Sequence, residues 1–175
     1  MNTEQQKIEY KSLQKIRTGE KGFKELSTTC VALANAQGGQ IMIGVEDKTR
    51  KPAPNQIIPQ EEANSAVTRL RGLCFNVGLA VGDVCEDETG SQYFAITVFP
   101  SLHSYATTSD GKMYIRVADK CEPVRSEDIQ RVGEEKGAFQ WELVPTLFEL
   151  EDENKTNLSK FANDIRQSDR VKLHI

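Results

Sequence analysis

The feature that most constrains the fold is a helical pattern that stops at a glycine pair and leads directly into a short apolar run. Apolar residues recur at three- and four-residue intervals over residues 23–34, and the glycine pair follows at 38–39. This spacing predicts an amphipathic helix over residues 20–36 that ends at glycine. Residues 40–47 (QIMIGVED) are apolar in the middle and bounded by turn formers, which predicts a strand buried on both faces at the centre of a sheet.

A second strand is predicted near the start of the chain, where residues 7–11 alternate polar and apolar side chains. The alternation puts Ile8 and Tyr10 on one face and Glu9 and Lys11 on the other. We expect this strand to lie beside the central strand, with Glu9 on an exposed face.

The remaining pattern predicts a second helix, an antiparallel hairpin, a further strand and a late amphipathic helix. We therefore expect the α+β class: a mixed, mainly antiparallel sheet flanked by helices, with a C-terminal helical appendage. These predicted elements cover residues 61–77, 79–85 with 93–99, 113–117 and 158–170.

The chain is expected to divide at about residue 135, because its acidity is concentrated after that part. The net charge is −4; residues 1–126 carry 15 basic and 15 acidic side chains, and residues 127–175 carry 7 and 11. We assign residues 1–135 to one domain and 136–175 to an acidic extended segment and helix. The chain ends among apolar residues at 170–175, so we expect this segment to begin a C-terminal region that is truncated here.

Targeting signals and cysteine spacing bear on the compartment. No run of about 18 apolar residues and no signal-peptide pattern occurs, so we expect a cytoplasmic protein without membrane association. The four cysteines are scattered and form no C-x-x-C pair, which predicts buried or half-buried free thiols rather than a zinc site.

Three blocks of the sequence together resemble the Schlafen AlbA-type domain (AlbA_2, formerly called divergent AAA-type). They are residues 8–11 (IEYK), 32–47 (ALANAQGGQIMIGVED) and 113–117 (MYIRV), and the middle block is the most specific. The resemblance covers about residues 4–132. It implies a nucleic-acid-binding module, most often a DNA-binding domain in bacterial proteins described as transcriptional regulators. The chain has no G-x-x-x-x-G-K-[ST] phosphate loop, so ATP binding is not predicted.

The resemblance also implies a candidate catalytic site. Eukaryotic Schlafen proteins cleave RNA with two glutamates five residues apart and an aspartate thirty-eight residues further on, a spacing that Glu4, Glu9 and Asp47 reproduce. These carboxylates are the catalytic and metal-binding candidates for a Mg²⁺- or Mn²⁺-dependent endoribonuclease. Solvated edge residues paired with Lys11 and Lys48 are the alternative interpretation, so whether the protein is an enzyme stays open.

The densest basic stretch of the chain supplies candidate phosphate contacts, with six positive charges in 18 residues. A solvated connection between strand and helix is the alternative interpretation. Arg116 could extend the basic stretch, or form a salt bridge with a carboxylate such as Asp47. The predicted nucleic-acid-binding residues are Lys7, Lys11, Lys15, Arg17, Lys21, Lys24 and Arg116.

Three functions therefore remain from the sequence: a nucleic-acid-binding domain of a regulator, a metal-dependent endoribonuclease, and a protein-interaction module. Salt-sensitive binding favours the first two, and metal-dependent cleavage separates the second from the first. The sequence leaves open whether DNA or RNA is the target and whether the chain forms a homodimer.

Overall fold

The structure is a computed structural model that describes residues 7–102, 104–125, 128–129, 133 and 152–167. The chain divides into two compact units, residues 1–140 and 141–175. Three helices and nine strands of the first unit lie wholly within the described residues. The helices are α1 (Gln14–Arg17), α2 (Glu20–Asn35) and α3 (Gln60–Arg71); the strands are β1 (Ile8–Lys11), β2 (Gly39–Ile43), β3 (Cys74–Phe75), β4 (Gly78–Val81), β5 (Cys85–Glu86), β6 (Gln92–Phe99), β7 (Thr107–Thr108), β8 (Tyr114–Val117) and β9 (Lys120–Pro123).

The main sheet has the strand order β1-β2-β6-β4, with β5 also paired to β6. Strand β1 runs parallel to β2, whereas β6 is antiparallel to β2, β4 and β5. Two small antiparallel pairs, β3 with β7 and β8 with β9, lie outside this sheet. The predicted α+β class, with a mixed and mainly antiparallel sheet and flanking helices, is confirmed.

One face of the main sheet carries the hydrophobic core. Ile41 and Ile43 on β2 are fully buried, as is Ile96 on β6. Leu26 of α2 and Leu70 of α3 belong to the same buried cluster, so the helices cover this face. Burying such side chains stabilises the fold by roughly 1.5–3 kcal/mol each.

The other face of β2 is less buried than the sequence indicated. Gln40 is exposed and Met42 is half-buried, so the prediction of a strand buried on both faces is wrong. The prediction was wrong because a long apolar side chain such as Met42 can also lie on a partly covered sheet face.

The register of β1 corrects the expected orientation of Glu9. Glu9 pairs with Ile41 and Lys11 with Ile43, so their side chains lie on the helix-covered side of the sheet. The expectation that Glu9 lies on an exposed face is therefore wrong. The alternation was read correctly, but it cannot tell which face the helices cover.

The glycine pair of the middle block is needed for close packing as well as for the helix end. Gly38 has a φ of +74°, and a Cβ there would approach the carbonyl oxygen of Val98 to 2.6 Å. A Cβ on Gly39 would approach the carbonyl oxygen of Lys7 to 2.4 Å. Only glycine at both positions therefore lets the α2–β2 turn fit between the ends of β1 and β6.

Two predicted elements end or pair differently in the structure. Helix α3 ends at Arg71 and is followed by Gly72, whereas the predicted helix continued to Val77. Strand β8 was expected, but its partner β9, in the charged segment Lys120–Pro123, was not. The sequence also predicts a short helix that begins at Ser126, with an acidic first turn, and an extended segment over residues 139–145. Apart from residues 128–129, these positions lie outside the described residues.

The second unit contains helix α4 (Asp152–Gln167), which overlaps the helix predicted over residues 158–170. Its described side chains, residues 157–164, are exposed. The division of the chain at residue 135 stays a prediction.

Candidate functional site

The most organised group of polar side chains surrounds Glu9 on the helix-covered side of β1. One carboxylate oxygen, Oε1, accepts a hydrogen bond from Lys11 Nζ at 2.6 Å, and Oε2 accepts one from Arg116 Nη2 at 2.5 Å. The Glu9 side chain is 17% exposed and that of Arg116 only 5%. Together with Cys121, these residues form what we call the Glu9 cluster.

The β8–β9 hairpin holds Arg116 in the Glu9 cluster. Arg116 lies directly opposite Cys121 across the hairpin, and its Nη1 donates to the Cys121 sulfur at 3.4 Å. The Nε atom is buried and has no hydrogen-bond partner among the described residues. The guanidinium thus connects the hairpin to the first strand of the main sheet.

The charge of Arg116 is retained despite its burial. Burial acts to lower the pKa of Arg116, but the hydrogen bonds with Cys121 and Glu9, together with the negative charge of Glu9, outweigh it and raise the pKa. A charged hydrogen-bond donor of this kind is expected to be strongly attached to its carboxylate.

Asn35, in the most specific sequence block, attaches the hairpin to helix α2. Its Nδ2 donates to the carbonyl oxygens of Ala106 and Tyr114 at 2.8 and 2.9 Å, and its Oδ1 accepts from the Ala106 amide at 2.9 Å. The left-handed residue after α2 is Gly38. The role of Asn35 is therefore structural, because its side chain forms hydrogen bonds with residues that are distant in the sequence.

The described residues do not form the predicted metal site. Both oxygens of Glu9 accept hydrogen bonds from cationic groups, and Asp47 has a 77% exposed side chain 3.9 Å from Arg50. Within the described part of the chain, no three metal-ligating side chains lie together. Glu4 lies outside the described residues, so the complete trio stays a prediction.

Arg116 forms a salt bridge with a carboxylate, one of its two predicted roles, and the partner is Glu9 rather than Asp47, which the sequence analysis gave as an example. Glu9 is the partner because it lies within β1, whereas Asp47 lies beyond the end of β2, after Gly44 with its positive φ. The guanidinium carbon of Arg50 lies over the ring of Tyr10 on β1, 4.1 Å from the ring centroid.

The basic stretch separates into two parts in the structure. Arg17 forms a two-pronged salt bridge with Glu62 on α3, through Nε at 2.7 Å and Nη2 at 2.8 Å. This contact joins α1 to α3 and raises the pKa of Arg17 mainly through the Glu62 hydrogen bond. The remaining basic residues of the stretch, which we call the lysine strip, are Lys7, Lys11, Lys15, Lys21 and Lys24.

Three members of the lysine strip lower the pKa of one carboxylate, that of Glu25. Lys15 Nζ donates to Glu25, and this hydrogen bond lowers the pKa of Glu25 against a smaller opposing effect of burial. The charges of Lys21 and Lys11 lower it further, so both lie within electrostatic range. Lys7, Lys21 and Lys24 are exposed.

The comparisons with known proteins identify the family. The profile of the family described as Schlafen, AlbA_2 matches residues 4–125. The chain belongs to the Schlafen AlbA_2 family. The match contains the Glu9 cluster and the lysine strip in full. No curated protein matches the chain.

A solved structure has a similar fold. The DIP2311 protein from Corynebacterium diphtheriae is 21% identical, with a TM-score of 0.51 over 70% of this chain and 26% of that chain. This chain thus spans about a quarter of the length of DIP2311. At this identity the likeness concerns the fold alone. Separately, none of the described helices is long and apolar enough to cross a membrane.

Two features of the site were not expected from the sequence. Nothing in the pattern around Cys121 indicated that it lies opposite Arg116, because strand β9 itself was not predicted. The hydrogen-bonding role of Asn35 could have been suspected, since a buried asparagine beside a helix end requires partners for its amide.

Proposed function

We propose that this AlbA_2 domain binds nucleic acid, in the first place DNA, as the DNA-binding part of a transcriptional regulator. The observation that carries the proposal is the concentration of lysines around Glu25. Lys11, Lys15 and Lys21 act on this one carboxylate, and exposed Lys24 lies on the same helix. A local excess of exposed lysine charge attracts phosphate and releases counterions from it.

The neighbouring Arg17 has a different role in this proposal. Because its guanidinium is engaged by Glu62 through two hydrogen bonds, binding phosphate would require breaking that salt bridge. We therefore propose the exposed lysines of the strip, Lys7, Lys21 and Lys24, as the direct phosphate contacts in place of Arg17. Lys11 and Lys15 are themselves paired with Glu9 and Glu25 and contribute positive charge beside them. Arg116 is 5% exposed at its side chain and is proposed to orient Glu9 and Lys11 rather than to contact phosphate.

Cleavage of the nucleic acid is the less supported alternative. A metal-dependent site would need Glu9 to exchange its contacts with Lys11 and Arg116 for a metal ion. It would also need Asp47, whose side chain is 77% exposed, to reach that ion together with Glu4, which lies outside the described residues. Binding without cleavage requires neither rearrangement.

Titration of residues 1–175 with double-stranded DNA, single-stranded DNA and a structured RNA, each across a salt series, tests the proposal. We expect double-stranded DNA to bind, with an affinity that falls as salt rises. Replacing Lys21 and Lys24 by glutamine should reduce the slope of log affinity against log salt by about 2, since each lost phosphate contact removes about one unit.

A matched double variant, Lys48→Gln with Lys51→Gln, removes the same charge from the exposed loop between β2 and α3. It should leave the slope nearly unchanged. Absence of binding to any nucleic acid at low salt would rule out the proposal and favour a protein-interaction module. Manganese-dependent cleavage that Asp47→Ala abolishes would establish the endoribonuclease instead.

A further inference from the structure

One face of the main sheet is left uncovered by the described helices of the first unit. Ile41 and Ile43 of β2 pack into the core with α2 and α3, so the alternate residues of the strand lie on the other side of the sheet. On that side Gln40 is exposed, Met42 is half-buried, and Phe99 on β6 is 51% exposed. We call this side the open face; it offers contact surface to a partner.

The four strands of the open face place no charged side chain on it. Glu9 and Lys11 of β1 point to the helix-covered side, and the described strands β2, β4 and β6 contain no charged residue, although such residues make up 27% of the chain. Arg50 lies over the Tyr10 ring at the β1 edge, 3.9 Å from Asp47, and forms a polar rim there. Because phosphate contacts need cations across the surface, the open face favours a protein partner over a nucleic acid.

Large and small side chains are separated on the open face. Strands β1 and β2 carry the large ones, which are Ile8, Tyr10, Gln40 and Met42. Strands β6 and β4, with the residue that follows β4, carry the small ones at the same two levels, which are Thr97, Ala95, Ala80 and Gly82. Tyr93 and Phe99 lie beyond these levels, towards the ends of β6. A step therefore runs along the middle of the face, raised over β1 and β2 and lowered over β6 and β4.

A step of this kind is complementary to itself. A two-fold axis parallel to the strands, between β2 and β6, lays the raised half of one copy over the lowered half of the other. In that arrangement Met42 faces Ala95 of the second copy, and Ile8 faces Ala80 of the second copy. Two-fold symmetry makes each contact twice, and two sheets with nearly aligned strands pack well at about 10 Å.

We propose that the domain forms a homodimer through the open face, with the two sheets packed face to face about this axis. The face is four strands wide, about 19 Å at the usual strand spacing, which is at the small end of specific interfaces. The dimer is therefore in exchange with the monomer. Lys11 and helix α2, which carries Lys21 and Lys24, belong to the opposite side of the sheet, so dimerisation leaves these lysines uncovered. The inference does not depend on nucleic-acid binding.

Sedimentation equilibrium of residues 1–175, freed of nucleic acid, tests the proposal over a concentration series. We expect a reversible monomer–dimer equilibrium with a Kd on the order of 10–100 μM. Thr97→Lys puts a positive charge beside the two-fold axis, close to the same charge of the second copy, and should raise the Kd at least about tenfold. The matched control is Thr68→Lys, at an exposed position of α3 on the other side of the sheet, which should leave the Kd unchanged.

A mixing experiment separates loss of the interface from loss of folding. Thr97→Glu alone should weaken the dimer as Thr97→Lys does, whereas an equal mixture of the two variants should form a heterodimer, because opposite charges then meet beside the axis. Recovery of the dimer on mixing also shows that both variants are folded. A wild-type protein that stays monomeric at several hundred μM, a dimer that Thr97→Lys leaves intact, or a mixture that stays monomeric would each overturn the proposal.

Discussion

The protein contains two arginine–glutamate salt bridges that differ in environment. Arg116 and Glu9 have side chains 5% and 17% exposed, whereas Arg17 and Glu62 are 41% and 29% exposed. The more exposed pair has two hydrogen bonds between its partners, and the more buried pair has one. Contact geometry alone would rank the Arg17 pair as the stronger.

Burial reverses that ranking of the two salt bridges when one partner of the pair is removed. An exposed charge left alone is hydrated by water, so breaking a surface pair typically changes stability by about 0–1 kcal/mol. A buried charge left alone has no such compensation, and breaking a buried pair costs about 3–5 kcal/mol. The comparison indicates that losing a partner of the Glu9 cluster should disturb the fold more than losing a partner of the Arg17 pair, which links α1 to α3.

The largest expected effect follows from removing Arg116. Arg116→Ala removes the more buried partner of Glu9 and leaves Lys11 as the other, so it should lower the free energy of unfolding by about 3 kcal/mol, the lower end of the range for a buried pair, measured by urea denaturation. A loss below about 1 kcal/mol would contradict the contrast between the two salt bridges. Arg116→Met combined with Glu9→Leu should recover most of the loss, because apolar packing can replace a buried ion pair.

The second prediction concerns the other attachment of the hairpin. Asn35→Ala removes the partner of three backbone groups at Ala106 and Tyr114, and should cost roughly 2–3 kcal/mol in the same assay. The matched control is Asn64→Ala on α3, where the side chain is exposed and accepts a 3.3 Å hydrogen bond from Gln60. That variant should change stability by less than about 0.5 kcal/mol.

The third prediction tests the exposed salt bridge. Arg17→Ala should lower the free energy of unfolding by at most about 1 kcal/mol, because water hydrates Glu62 once its partner is removed. High salt should weaken the effect, which a denaturation series at two ionic strengths measures. An effect as large as that of Arg116→Ala would show that contact geometry outweighs burial in this protein.

The smallest expected effect is on the pH dependence of stability. The Arg17 hydrogen bond lowers the pKa of Glu62, against an opposing effect of burial. A carboxylate with a lowered folded-state pKa contributes stability above its unfolded value of about 4.3, and this is lost as the pH falls through the folded value. Glu62→Gln should therefore destabilise the protein slightly at neutral pH, and the difference from wild type should disappear in acid.

The helix and strand positions followed from the sequence where periodicity was strong. Apolar residues at helical spacing before a glycine pair predicted α2, and alternation around Glu9 and Lys11 predicted β1 and which of its side chains share a face. The middle block also indicated the family, and the family model confirms it. These features depend on neighbours along the chain, which a sequence displays directly.

The partner of each charged residue could not be predicted in the same way. Glu9 and Arg116 are 107 positions apart, and Arg17 and Glu62 are 45 apart. Asp47 seemed an equally suitable partner for Arg116, because every ionised carboxylate carries the same charge. Only the register of β1 on β2 and the unforeseen β9 strand select Glu9.

The sequence by itself determined the α+β class, the main elements and the family, because hydrophobic period and glycine positions act locally. Tertiary structure alone decided which face of β1 is covered, which carboxylate holds Arg116 and which thiol faces a guanidinium. The physical reason is that burial and long-range pairing depend on how the sheet, the helices and the hairpin pack. Residue identity sets the possible interactions, and packing selects among them.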